Sequence, residues 1–309
     1  MPDSRTQLRA LAMLGLVMLF WAGNSIVGRA VRFDIPPFTL AFVRWTGALL
    51  VLLLFAGPAI WRERAEILRG WKPILVLGII GVGTFNTLLY VGLRETTATN
   101  ALLLQAALPA LVMIFDRGIF GTRHNRWQIA GVWLSMVGVV AIVFEGDPAV
   151  AMKLHFGRGD VLILLAVTAW ALYTVLLRLR PAISPASFVA ATFAVGVVVL
   201  APLAAGEWLA GLTVNWKPGV IGAFLYVALL PSLAAYFIYN WATAQVGPAR
   251  AGQALTLMPV CGAFLSALLL GETLHAYHLA GIVLILAGIG LGVLAMRGKT
   301  SLAHRQGGR

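Results

Sequence analysis

Apolar residues run through this chain in blocks of about twenty, separated by short connections that hold most of the charge. The blocks lie near Leu11–Gly28, Thr39–Ala56, Pro73–Leu93, Ala98–Phe115, Trp127–Phe144, Val161–Leu177, Ala186–Leu203, Gly219–Ala242, Ala251–Leu270 and Ala276–Met296. A bilayer core about 30 Å thick is crossed by about 20 residues of α-helix. A membrane β-barrel would instead show alternating segments of about ten residues. The pattern predicts an all-α, polytopic membrane protein with ten transmembrane helices.

Polar residues recur inside several blocks at helical spacing. Trp21, Asn24, Ser25 and Gly28 share a face of the first helix, and Gly83, Asn86, Thr87 and Tyr90 a face of the third. Trp170, Tyr173, Thr174 and Leu177 form a stripe on the sixth, and Ser232, Tyr236, Tyr239, Asn240 and Thr243 on the eighth. Gln105, Gln253 and Thr256 add polar groups in the fourth and ninth. Amides and hydroxyls in hydrocarbon need partners, so these faces turn inward. Two explanations stay open: hydrogen bonding between helices, worth about 0.5–2 kcal/mol per contact, or a water-filled cavity lined by aromatic and amide groups. Arg44 is the one charge well inside a block, about 8 Å from its start. It either meets a substrate carboxylate or snorkels to the surface. Pro109 and Pro259 are candidate gating bends, and Pro231 a static packing kink.

The chain repeats itself. At an offset of 149, Phe20-Trp21-Ala22 matches Ala169-Trp170-Ala171, Arg29 and Pro36 match Arg178 and Pro185, and Tyr90 matches Tyr239. At an offset of 150, Pro109 matches Pro259, and Gly121, Gly131 and Gly138 match Gly271, Gly281 and Gly288. Two units are expected, 1–146 and 147–309, each with five spans. An odd number makes the second unit enter the membrane from the opposite side, an inverted repeat. Secondary transporters use this design, because two inverted halves can present one central site to either side in turn.

Composition agrees. The chain is 60% hydrophobic and 11% charged, with a mean hydropathy of +0.90, against about 25% charged residues in a soluble domain. The net charge of +12 is a matter of topology. With the N-terminus in the cytoplasm, sixteen basic residues fall on the inner side: Arg5, Arg9, Arg62, Arg64, Arg69, Lys72, Arg117, Arg123, Arg126, Arg178, Arg180, Arg250, Arg297, Lys299, Arg305 and Arg309. Six fall outside: Arg29, Arg32, Arg94, Lys153, Arg158 and Lys217. The positive-inside rule therefore puts both termini in the cytoplasm, and no nucleic-acid partner is expected. The first block has an Arg-bearing start like a signal peptide, but it lacks a small-x-small cleavage site and has a partner in the sixth block, so it reads as a retained span. Cys261 is the single cysteine and excludes an intrachain disulfide. Arg outnumbers Lys heavily, a usage that suits a GC-rich bacterial genome and hence a bacterial cytoplasmic membrane.

The chain resembles the drug/metabolite transporter superfamily, in particular its EamA-type branch, over about residues 10–296. Phe20-Trp21-Ala22-Gly23-Asn24, Pro36, Arg44-Trp45, Gln105, Pro109, Gly131 and Gly138 carry the resemblance in the first half. Pro248-Ala249-Arg250-Ala251, Pro259, Leu270-Gly271-Glu272, Gly281 and Gly288 carry it in the second. One departure is that Gly121-Thr122 stands where symmetry with Gly271-Glu272 would place an acid. The resemblance implies small-molecule export, with exporters of amino acids, including aromatic amino acid exporters of the YddG type, as near relatives. It also implies that helices five and ten, with Gly131-x-x-x-Ser135 and Gly288-x-x-x-Gly292, brace the halves away from the pathway.

Asp116, Glu145, Asp160 and Glu272 all fall at or beyond a helix end, so a facilitator or exchanger is expected in preference to a proton-coupled pump with a buried acid. No phosphate-binding Gly-rich Lys loop occurs, and His275 and His278 lack further ligands, so neither ATP nor a metal is expected. No nucleophile–base pair suggests an intramembrane enzyme, and a sugar-nucleotide or phosphate-ester antiporter would want more embedded cations than Arg44 and Arg250. The expectation is a cofactor-free carrier whose partners are a small-molecule substrate and the bilayer, monomeric, with a dimer as the alternative. Its cavity would be lined by Trp21, Asn24, Ser25, Arg44, Asn86, Tyr90, Gln105, Trp170, Tyr173, Tyr236, Tyr239, Asn240 and Gln253.

Overall fold

The computed structural model describes residues 4–96, 98–147, 149–152, 157–270 and 275–306, and their side chains except those of 4, 25, 29, 98–100, 102, 151, 266, 269, 270 and 293–306. The side chains of Ser25, Arg29, Arg297, Lys299 and Arg305, together with Lys153, Gly271, Glu272 and Arg309, thus lie outside what is described. Every regular element among the described residues is helical, and they form ten rods.

These are α1 (Ser4–Ala30), α2 (Pro37–Arg62), α3 (Trp71–Glu95), α4 (Ala98–Gln105 and Leu108–Phe120), α5 (Arg126–Val143) and α6 (Arg158–Leu179). They continue as α7 (Pro185–Leu209), α8 (Pro218–Val246), α9 (248–270) and α10 (Ala276–Gln306). Eight contain a stretch with the length and apolarity of a membrane span, and α10 has a shorter apolar stretch, Ala276–Gly292. The ninth rod is cut by a 3₁₀ turn at Leu255–Leu257. The chain is a polytopic helical membrane protein, with ten rods where ten apolar blocks were predicted. Two short helices, Arg64–Arg69 and Ala149–Met152, lie in connections.

The pairings of the rods interchange when the halves are exchanged. The helix pairs α2–α7 and α5–α10 each join equivalent helices, while α1–α8 and α3–α6 are equivalent to each other. Glycine controls the α5–α10 contact. A Cβ on Gly138 would stand 2.7 Å from the Gly281 carbonyl, and one on Gly281 at the same distance from that of Gly138. Gly131 and Gly288 meet the same way, so the two backbones touch.

The ends of α2 and α7 are tied crosswise. Pro36, at the α2 N-cap, offers no side-chain acceptor. The carboxylate of Glu207, near the end of α7, instead accepts from the Phe38 and Thr39 N–H groups at 3.0 and 2.7 Å and from Thr39 Oγ1 at 2.8 Å. At the other end Glu63, just past α2, accepts from Ser184 N at 3.1 Å and Ser184 Oγ at 2.8 Å, where α7 begins. Each helix receives a carboxylate at its positive N-terminal end from its antiparallel partner. Hydrogen bonds from the side chains of Ser187 and then Ser184 hold the Glu63 carboxyl below its ordinary range.

Four rods are irregular, in matching places. In α3 a π turn spans Gly78–Thr84, and in α8 one spans Leu229–Ala234. The fourth rod breaks at residues 106–107, and the ninth at its 3₁₀ turn. Pro109 and Pro259 were expected as kinks inside continuous helices. Each instead occupies the second position of the segment after a break, where a missing N–H costs nothing.

Candidate functional site

The breaks and π turns converge on the middle of the bundle. A narrow cavity there is lined by Trp21 and Asn24 (α1), Arg44 (α2), Phe85, Asn86 and Leu89 (α3), Gln105 and Leu108 (α4), Trp170 (α6), Tyr236 (α8), and Leu255 and Met258 (α9). It leaves about 20 Å³ for the centres of water-sized spheres, room for one or two waters. A second small space, bordered by Gln105, Ala106, Leu255, Thr256 and Pro259, lies between the breaks of α4 and α9.

Arg44 does not snorkel. Its side chain is 1% exposed, and its guanidinium gathers acceptors from three other helices. Nη1 donates to Asn24 Oδ1 at 3.2 Å, Asn86 Oδ1 at 3.1 Å and Tyr90 Oη at 2.7 Å. Nε donates to Ser232 Oγ, and Nη2 makes a longer contact of 3.3 Å with the Pro231 carbonyl. The guanidinium also lies 4.7 Å from the centre of the Trp45 ring. All these partners are neutral. Among the described residues no carboxylate forms an ion pair with Arg44.

The π turns explain how backbone joins this network. Pro231 has no N–H to give Val227, and Ser232 Oγ fills the gap by donating to the Val227 carbonyl at 2.6 Å. The Pro231 carbonyl in turn accepts from Trp21 Nε1 at 2.9 Å and from Arg44, both in the first half. In the other π turn the Gly81 carbonyl accepts from Tyr236 Oη of the second half at 2.5 Å. Gly81 and Pro231 are 150 residues apart, within one residue of the 149-residue offset that relates α3 to α8. Each half thus grips a carbonyl in the other's π turn, and the static kink expected of Pro231 is a polar contact point.

Aromatic rings complete the site. Trp21 and Trp170, equivalent positions of the halves, meet edge to face with centroids 5.0 Å apart. Trp21 also packs on Tyr239 at 5.1 Å, and Trp170 on Phe85 at 4.8 Å and Tyr173 at 4.9 Å. Two hydrogen bonds repeat with donor and acceptor exchanged between equivalent helices. Tyr90 of α3 donates to Asn24 of α1 at 3.1 Å, and Tyr173 of α6 donates to Asn240 of α8 at 2.8 Å. Tyr239 Oη and Thr174 Oγ1 lie 2.8 Å apart.

Of the residues singled out from the sequence, Trp21, Asn24, Arg44, Asn86, Gln105, Trp170 and Tyr236 line the cavity. Tyr90, Tyr173, Tyr239 and Asn240 form the layer behind it. Gln253 stands apart: its Nε2 donates to the Gly288 carbonyl at 2.9 Å, within the α5–α10 brace. Phe85, Leu89, Leu108, Leu255 and Met258 were not anticipated, because apolar residues in apolar helices carry no distinguishing pattern.

The EamA-like transporter family matches the chain twice, over residues 8–144 and 157–294. A protein named as an uncharacterized transporter from Archaeoglobus fulgidus is 30% identical, over 93% of this chain and 96% of its own. The uncharacterized transporter YyaM of Bacillus subtilis is 26% identical over 90% and 91%. A Salmonella typhimurium protein named "Probable amino-acid metabolite efflux pump" is 28% identical over 91% and 94%. One crystal structure superposes with a TM-score of 0.72 over 94% of this chain and 98% of its own; at 17% identity it shows the shared fold. With both halves matched end to end, the chain belongs to the EamA-like transporter family of the drug/metabolite transporter superfamily.

Proposed function

We propose that this transporter exports small amphipathic metabolites, amino acids with aromatic or other hydrophobic side chains among them, by alternating access through the central cavity. One observation carries the reading: a buried guanidinium with neutral partners lies beside aromatic rings in a cavity to which both halves contribute. A guanidinium in such a site can take a carboxylate, and Trp21, Trp170 and Phe85 offer an apolar body its stacking surface. The Salmonella typhimurium relative named for amino-acid metabolite efflux supports the substrate class.

In this reading units 1–146 and 147–309 are the two inverted halves, and both termini lie in the cytoplasm of a bacterium. The carrier works as a monomeric facilitator or exchanger. A sugar-nucleotide antiporter is disfavoured because, among the described residues, Arg44 is the single cation lining the cavity. Counterflow of labelled L-phenylalanine into preloaded proteoliposomes tests the proposal. Exchange above protein-free vesicles is expected, and unlabelled aromatic amino acid should compete. Absence of counterflow for every amino acid tried would end it, and uphill accumulation driven by an imposed proton gradient would replace the facilitator with a proton-coupled pump.

A further inference from the structure

The charges of the core are lopsided. Three carboxylates among the described residues are buried: Asp116, Asp160 and Glu207. Each is engaged at a helix end. Asp116 is bound by Arg178 at 2.8 Å, Asp160 accepts from Gly157 N at 2.7 Å, and Glu207 caps α2. None lines the cavity, whose single charge among the described residues is Arg44. The neutral oxygens nearest to Arg44, those of Asn24, Asn86, Tyr90, Ser232 and the Pro231 carbonyl, are already turned toward the guanidinium. The longest of these contacts, from Nη2 to the Pro231 carbonyl, is the one an incoming anion can replace at least cost.

We infer that the cavity selects organic monoanions, an aromatic or bulky apolar body bearing a carboxylate or sulfonate, and that an ammonium group on the ligand works against binding. The inference rests on the carrier reading above and narrows it to a charge class. The anionic end sits on Arg44 and the body lies among Trp21, Trp170 and Phe85. The α-ammonium of an amino acid would then stand about 6 Å from the guanidinium with no carboxylate to receive it. At an effective dielectric constant of about 20, two like charges at that distance weaken binding by roughly a hundredfold. Amino acids are the weaker members of the class, and their deaminated or N-acylated relatives the preferred ones.

The test is a series of four compounds with one phenyl body: 3-phenylpropanoate, 3-phenylpropane-1-sulfonate, L-phenylalanine and 2-phenylethylamine. Affinity is read from tryptophan fluorescence of the purified protein, and competition from phenylalanine counterflow. The two anions should bind at least tenfold more tightly than phenylalanine, and the amine should not bind. Arg44→Gln should erase this ranking, while Arg44→Lys, which keeps the charge without the planar fork, should preserve the order with weaker binding. The wild-type ranking decides the matter even if the Arg44→Gln protein fails to fold. Phenylalanine binding as tightly as phenylpropanoate, or measurable binding of the amine, would overturn the charge rule. Phenylalanine exchange without competition from either anion would sink the rule and leave the carrier reading intact. Failure of all four to bind, with no counterflow, would sink both.

Discussion

Glu207 supplies to α2 what the α2 sequence lacks. With Pro36 at the N-cap, the N–H groups of Phe38 and Thr39 depend on a carboxylate from α7, 169 and 168 residues away. Glu207→Ala removes both acceptors together with the charge. Loss of an N-cap costs about 0.5–2 kcal/mol, and loss of a partly buried charge at a helix N-terminus up to about 2 kcal/mol. Together these predict a loss of about 1–4 kcal/mol, or roughly 2–16 °C in unfolding temperature at about 2–4 °C per kcal/mol. The assay is thermal unfolding in detergent, with Glu66→Ala on the short exposed helix as the control, expected within about 0.5 kcal/mol of wild type. The sharper test is a rescue. Pro36→Ser gives α2 its own cap, so it should recover about 1 kcal/mol in the Glu207→Ala background. In the wild type it adds a redundant acceptor and loosens the unfolded chain, a small loss. Additive effects of the two substitutions would refute the capping argument.

Three further outcomes are expected. Trp21→Ala and Tyr239→Ala should each cut counterflow at least tenfold with little change in monodispersity on gel filtration, and unchanged flux in both would remove the central cavity as the pathway. Gly138→Leu should force α5 and α10 apart and lower stability by about 1–3 kcal/mol, whereas Gly118→Leu, with open space around it, should not; thermal unfolding of the pair decides. Because hydrogen bonds from Ser187 and Ser184 depress the Glu63 carboxyl, that group contributes stability at pH above its ordinary 4.5, and the contribution fades as the pH falls through its lower folded value. Glu63→Gln should therefore flatten the acid side of the stability profile, and an unchanged acid limb would count against the Glu63–Ser184 tie.

The rods were legible because a bilayer imposes a length on apolar segments, and the repeat because Trp21 and Trp170, or Gly138 and Gly288, keep their offset. The inward faces were legible too, since Asn24, Asn86 and Tyr236 are costly in lipid. What stayed hidden is backbone behaviour. Gly81 shows no sign of a π turn, and Pro231 reads as an ordinary kink until its carbonyl is seen between Trp21 and Arg44. Glu207 escaped notice because apolarity fades at Leu203 while the helix runs on to Leu209. Gln253 matched the polar pattern of a lining residue, yet a glycine seam between α5 and α10 claims its amide. Periodicity reports which side of a helix is polar, and close packing decides which neighbour takes up that polarity.

The grip of Arg44 on α8 also bears on how the protein is made. Ser232 lies 188 residues after Arg44, so at roughly 5–20 residues per second the ribosome needs roughly 10–40 s to deliver it. For the first part of that time even Asn86 and Tyr90, 42 and 46 residues after Arg44, are still to be made, and once they arrive the guanidinium has Asn24, Asn86 and Tyr90 as hydrogen-bonding partners until α8 follows. A half-made chain therefore has reason to stay beside the insertion machinery until the eighth helix arrives.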